Sequence, residues 1–209
     1  GIVSPNVAVL NGSPTDNNAT LFANGYNTYI DPLFEAGVFT EVDDQSVPNW
    51  DNQEALVIFE QIQTAAGGCD GIDAAVAAND GLAGAVIAAR ENAGCDYIPV
   101  TGQDATVAGL QNILEGKQSM TVYKAIRAQA AAAADLAIAL VNGDDTDALV
   151  NGVTNNGTND VPSVLLTPVQ VTADNIGSTV IADGFRSVDE ICTDVLAEAC
   201  AAAGLTDDM

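Results

Sequence analysis

An α/β fold, a Rossmann-like parallel sheet with helices on both faces, is predicted for this 209-residue sequence by three observations. Short apolar runs alternate repeatedly with longer segments of helical character, the βα pattern that gives parallel sheets. The runs are punctuated by Gly, Pro, Asn and Asp, which favour turns. Hydrophobic residues make up 48% of the chain, ample for a buried core, yet no run approaches the length needed to cross a bilayer.

Taken in order, the first strand is "VAVLNG" (7–12), an apolar run closed by Asn-Gly, and a helix follows over 18–36. The strand "VFTEVDD" (38–44) leads to a helix over 51–66, and "IDAAVAA" (72–78) to a helix over 80–93. Next come "YIPVTG" (97–102) with a helix over 105–115, and "SMTVYK" (119–124) with a helix over 125–142. The Ala-rich "AIRAQAAAAADLAIALVNG" of this last helix is a strong helix former with a wide apolar side, so it should pack against something large. Beyond Asn142, "GDDTDALVNGVTNNGTND" reads as loop with room for a short strand. Two extended pieces, "SVLLTPVQV" and "STVIADGF", precede an acidic C-terminal helix starting near Ser187.

The charge balance excludes several classes of partner. Asp and Glu number 29 against five Lys plus Arg, a net charge of -24, which repels nucleic acid and anionic membrane surfaces. Only 16% of residues are charged, so bases are scarce more than acids are abundant, a composition suited to an extracellular or salt-tolerant protein. No charged segment followed by an apolar one opens the chain, so any signal peptide is expected to have been removed. Four cysteines permit two disulfides. Cys69 and Cys95 each lie just before a strand, and parallel neighbours about 4.8 Å apart bring such entry points within bridging distance. Cys192 and Cys200 on one continuous helix would stand about 12 Å apart, so a bridge there needs the helix broken. An oxidising, extracellular or periplasmic compartment is expected.

Right-handed crossovers place every strand-to-helix junction at one carboxyl edge of the sheet. The junctions are "SPTDNN" (13–18), "SVPNW" (46–50), "AND" (78–80), "GQD" (102–104) and "VYK" (122–124). One crevice there can hold Asn17 or Asn18, Trp50, Asn79, Asp104 and Lys124, with Gln103 beside them. Amides and a carboxylate make paired hydrogen bonds to adjacent hydroxyls, an indole offers a flat surface to the C–H face of a sugar ring, and lysine donates while offsetting the carboxylate charge. The set suits a neutral polyol. Each member also has a plainer role: Asp16, Asn17, Asn18, Asp80 or Asp104 as helix caps, Trp50 as a core or lid residue, Lys124 as a solvated surface lysine. Enzymatic patterns are weak. The chain contains no histidine, and no GxSxG, Walker A or GxGxxG motif occurs, so no enzyme activity, cofactor or metal is expected.

"NGSPTDNNATLF", "AANDGLAGAVIAA", "PVTGQDATVAGLQNILEGKQSMTVYK" and "VPSVLLTPVQVTADNI" resemble the xylose-binding branch of the type I periplasmic sugar-binding proteins of bacterial ABC transporters. The likeness runs from about Val7 to Phe185. It implies two Rossmann-like lobes joined by three crossovers and closing on a monosaccharide, with sugar contacts at Asn18, Trp50, Asn79, Asp104 and Lys124. The flanks of Trp50 differ from the family, and "EICTDVLAEACAAAGLTDDM" has no counterpart in its better-known members. The resemblance further implies that the chain starts at the first strand of the second lobe. Residues 1–124 would form the main part of the C-terminal lobe, 125–160 a crossover helix and segment of the absent N-terminal lobe, and 161–209 the return strands and C-terminal helix. An uncovered helix 125–142 then implies self-association or a retained partner piece. The partners implied are a pentose, with xylose first, and an ABC permease, with a lipid anchor allowed for in a full-length form. Two other classes stay open: the effector domain of a sugar-responsive transcription regulator, which needs a basic headpiece, and a lysine-dependent aldolase acting through Lys124.

Overall fold

The structure is a computed structural model that describes residues 3–205. Its centre is β1 (Asn6–Asn11), whose Val7, Ala8, Val9 and Leu10 are all buried, as a strand covered on both faces requires. α1 (Asn17–Glu35) leads to β2 (Thr40–Ser46), parallel to β1 on one side. α2 (Asn52–Ala65) carries the chain across to β3 (Ala74–Ala77), parallel to β1 on the other side. Ala8, Leu10, Ala75 and Ala77 pack with Phe59, Leu82 and Val86 of α2 and α3 (Asp80–Ala93) in one core. Val76, on the alternate face, lies with Phe22, Tyr26 and Ile30 of α1, so helices cover both sides.

The strand expected over 97–102 is reduced to a single parallel bridge between Val100 and Ala75. Pro99 has no N–H to donate, so only its carbonyl takes part, accepting from Ala75 N–H at 2.9 Å. The Thr101 hydroxyl then replaces a ladder rung, accepting from Ala77 N–H at 2.9 Å and donating to Ala77 C=O at 3.0 Å. The layer nevertheless continues. After α4 (Val107–Leu114) the chain returns as β4 (Thr121–Tyr123), joined to this segment by Ser119 N–H to Val100 C=O at 2.9 Å and Val122 N–H to Gly102 C=O at 3.1 Å.

α5 (Ile126–Asn142) and a hairpin of β5 (Gly152–Asn155) and β6 (Asp160–Ser163) follow. Only Ala139 of α5 is buried, and Ile138, Leu140 and Val141 are 59%, 64% and 87% exposed. The apolar side of this helix is therefore bare in the chain as it stands. β7 (Val169–Val171) rejoins the layer antiparallel to β4. The extended segment expected over 163–171 is thus strand only at its ends, in the last residue of β6 and in β7.

Three further expectations are corrected. The helix expected from 105 begins at Val107, because Thr106 caps it by accepting from Gly109 N–H at 3.0 Å. "STVIADGF" is a π-helical turn, Gly177–Ile181, not extended chain. Ile176 and Val180, four residues apart and fully buried, pack beside Leu110 and Val171, and a short apolar run does not by itself separate strand from helix. The C-terminal helix starts after Ser187, as expected, but breaks into α6 (Val188–Ile191) and α7 (Ala197–Ala202). That break brings Cys192 and Cys200 to a Cα separation of 5.9 Å, and they are bridged. Cys69 and Cys95 are bridged as well, with Cα atoms 5.3 Å apart. No helix among the described residues is long and apolar enough to cross a membrane.

Candidate ligand-binding crevice

The crevice is built where β1, β3 and β4 end. β1 runs out at Gly12 into a turn closed by Asp16 N–H to Ser13 C=O at 3.0 Å. Asp16 caps α1, accepting from Asn18 N–H at 2.9 Å, and its other oxygen accepts from the Trp50 indole N–H at 3.1 Å. The two donors, the Asn18 N–H foremost, hold the Asp16 carboxyl below its ordinary range. Ser13 Oγ accepts from Asn49 N–H at 3.1 Å, so the first two junction turns are tied together.

Trp50 ends a short turn, Pro48–Trp50, in which Asn49 and Trp50 both take positive φ, 55° and 57°. The ring lies directly on Gly12, where even a methyl group would overlap its six-membered edge. Phe22 meets the indole edge-on, with ring centroids 6.4 Å apart. At the next junction Asn79 is the α3 cap, accepting from Leu82 N–H at 2.8 Å, which leaves its amide nitrogen to donate elsewhere.

Asp104 does not cap α4, since Thr106 does. Its backbone sits at φ 99°, followed by Ala105 at 46°, and its N–H donates to Val122 C=O at 2.8 Å. The carboxylate pairs with Lys124 Nζ at 2.8 Å, the two side chains 40% and 36% exposed, so the pair is open to a ligand and adds little stability by itself. Lys124 Nζ also stands 5.4 Å from the Phe22 ring centroid.

Asp16, Asn18, Phe22, Trp50, Asn79, Gln103, Asp104, Lys124, Ile126 and Gln129 line one crevice of about 460 Å³. The structure thus brings Asn18, Trp50, Asn79, Gln103, Asp104 and Lys124 together, while Asn17 is exposed at the start of α1 outside this lining. Sequence reasoning missed Asp16 as more than a cap, and missed Phe22 and Gln129. Phe22 follows Asn18 by four residues on one helix face, and Gln129 lies one turn into α5, so both were findable from helical spacing. The lining combines amide and ammonium donors, carboxylate acceptors and aromatic faces, the chemistry of a hydroxyl-rich ring. Among the described residues no group of His, Cys, Asp and Glu could hold a metal ion.

Comparison with known proteins places the chain in a family. The D-xylose-binding periplasmic protein of Escherichia coli K12 is 43% identical over 187 residues, which cover 89% of this chain and 56% of that protein. Its namesake in Haemophilus influenzae is 41% identical over 187 residues, covering 89% and 55%. The chain therefore spans about half the length of these relatives. Among solved structures, an ABC transporter solute binding protein from Clostridium phytofermentans with bound β-D-glucose superposes with a TM-score of 0.82 at 29% identity, over 92% of this chain and 62% of that one. The model of the periplasmic binding protein domain matches residues 3–145. The chain belongs to the periplasmic binding protein domain family.

Proposed function

We propose that this chain is the C-terminal lobe of a solute-binding protein that captures a monosaccharide, D-xylose first, for an ABC importer. The observation that carries the reading is the single crevice in which Asn18, Trp50, Asn79, Gln103, Asp104 and Lys124 meet. Asp104 and Lys124 accept from and donate to adjacent hydroxyls, Asn79 donates through its free amide nitrogen, and Trp50 covers the C–H face of the ring. No bond is made or broken, so binding serves transport alone. The D-xylose-binding relatives at 43% and 41% identity support the choice of sugar.

Residues 1–124 make up most of the lobe in this reading, 125–160 reach into a second lobe, and 161–209 return. The bare side of α5, with Ile138, Leu140 and Val141, supports it, because such a surface is normally covered by a partner or by another part of the protein. Closure of two lobes over the sugar then gives the shape that a permease reads. Both disulfides favour a periplasmic or extracellular place of work, with a lipid anchor as an option there. Titration calorimetry of the natural full-length protein with D-xylose, D-ribose and D-glucose tests the reading. Heat with D-xylose is expected, and no heat with any pentose or hexose overturns it.

A further inference from the structure

Asp80 is a carboxylate that the crevice does not use. It is 4% exposed and stands first in α3, immediately after Asn79. Its backbone N–H donates to Gln103 C=O at 2.9 Å. One carboxylate oxygen accepts from Thr106 N–H at 2.8 Å and from Thr106 Oγ1 at 3.0 Å, and the other accepts from Gln118 Nε2 at 2.9 Å. A single residue therefore grips the 103–106 turn at both ends. Between the two grips lie Asp104 and Ala105, both at positive φ. Such backbone costs free energy and persists only where the surroundings hold it.

The packing is shaped around this carboxylate. Gly102 and Gly109 approach it so closely that a Cβ on either would collide with it. Gln118 is buried, and its Oε1 has no partner while its Nε2 serves both Asp80 and Met120 C=O. An unpartnered buried oxygen is tolerated for what the nitrogen of the same amide does. Burial raises the Asp80 carboxyl above its ordinary range, and its hydrogen-bond donors oppose that rise.

We propose that Asp80 is the positioning residue of the crevice: it touches no ligand, but it clamps the 103–106 turn in the one conformation that presents Asp104 beside Asn79. This rests on the sugar-binding reading above. The clamp acts through Asp104, so its loss should matter only while Asp104 is there to be positioned.

The test is a double-mutant cycle in the natural full-length protein, read by calorimetric titration with D-xylose. Asp80→Asn is expected to weaken binding about tenfold in the native background and less than about twofold in the Asp104→Ala background. Gln118→Met removes one of the bonds to Asp80 without opening a cavity, and is expected to weaken binding about threefold with the same dependence on Asp104, so the proposal stays testable should Asp80→Asn fail to fold. Equal losses in both backgrounds, or no loss in the native one, overturn the clamp. A native protein that takes up no sugar overturns the sugar-binding reading instead. Amide hydrogen exchange then tests the clamp alone: in Asp80→Asn, or in Gln118→Met, the Asp104 and Thr106 amides should exchange about tenfold faster while those of Val86 to Arg90 stay protected. Unchanged exchange at Asp104 and Thr106 overturns it whatever the ligand.

Discussion

Replacing Gly12 with alanine tests how the crevice holds its aromatic wall. Gly12 is buried and its backbone lies outside the left-handed region, so alanine meets no conformational obstacle there. The obstacle is Trp50, because the new methyl would fall within the contact distance of three ring carbons, Cη2, Cζ2 and Cζ3. Carbon atoms rest about 3.5 Å apart, so the indole must withdraw by roughly 1.5 Å. Forcing a methyl into a packed site costs about 2 kcal/mol, and part of the edge-on contact with Phe22, worth about 1 kcal/mol, goes with it. For a chain of this size a loss of about 2 kcal/mol lowers Tm by about 4–8 °C. A displaced ring no longer covers the sugar face, and about 1.4 kcal/mol of lost contact weakens binding about tenfold. Trp50 is the single tryptophan of the chain, so its emission reports the displacement directly. Thermal melting, the emission maximum and a fluorescence titration with D-xylose should all move, the emission to longer wavelength. A Gly12→Ala protein with native emission and native affinity refutes the assignment of Trp50 to the crevice wall.

The remaining predictions concern the second strained turn, a carboxylate, the cross-links and the net charge. Asp104→Gly should weaken sugar binding by at least about a hundredfold while thermal stability stays within about 1 kcal/mol, because glycine at φ 99° relieves strain that offsets the loss of a half-exposed ion pair; calorimetry and melting check it. The Asp16 carboxyl, held low first by Asn18 N–H and then by the Trp50 indole, contributes stability that is present above its unfolded value of 3.8 and is lost as pH falls through the lower folded value. An acid titration of Trp50 emission should therefore show a midpoint below 3.8, and a midpoint above it contradicts the contact. Replacing both Cys69 and Cys95 with alanine, which opens a cross-link across 26 residues, should cost about 3.5 kcal/mol in denaturant unfolding, against about 2.5 kcal/mol for Cys192 and Cys200, eight residues apart. With a net charge of -24, Tm should rise steadily as NaCl is raised, because screening reduces the repulsion among carboxylates.

The architecture was legible because burial on both faces leaves a plain mark: Val7 to Leu10 and the Ala-rich run to Ala78 are apolar without interruption, and each ends in Gly, Asn or Asp. What stayed hidden depends on partners distant in sequence. The segment 97–102 looks like a strand, yet Pro99 and the Thr101 hydroxyl change how it pairs, and no local pattern announces a side chain taking the place of a ladder rung. "STVIADGF" carries an apolar run as suitable for a helical turn as for a strand, and the decision falls to its packing against Leu110, far away in the chain, and Val171. Within the crevice, the junction residues were visible because βα topology alone fixes where they gather. Phe22 and Gln129 left a fainter mark, the i+4 spacing of Phe22 from Asn18 and the place of Gln129 one turn into α5, which shows only once the junction residues are taken as fixed.

The two turns that carry Trp50 and Asp104 share a feature that no single residue reveals. Among the described residues, five non-glycine residues have positive φ, and four of them are the pairs Asn49–Trp50 and Asp104–Ala105. Evolutionary drift toward glycine would relieve the backbone at any of these positions, but it would remove the indole or the carboxylate at two of them. All but Ser4 thus sit in the turns that face the crevice, and each turn is held from outside it: the first by Ser13, which accepts from Asn49 N–H, and the second by the Asp80 carboxylate. In the sugar-binding reading proposed above, Asp104 and Asn79 are thereby left with hydrogen-bonding capacity for a ligand. Asp104 keeps only an exposed ion pair with Lys124, and Asn79 keeps its amide nitrogen free. Such a site is arranged before the ligand arrives, so little ordering cost remains to be met on binding, and affinity should follow the rigidity of these two turns more closely than the number of contacts they make.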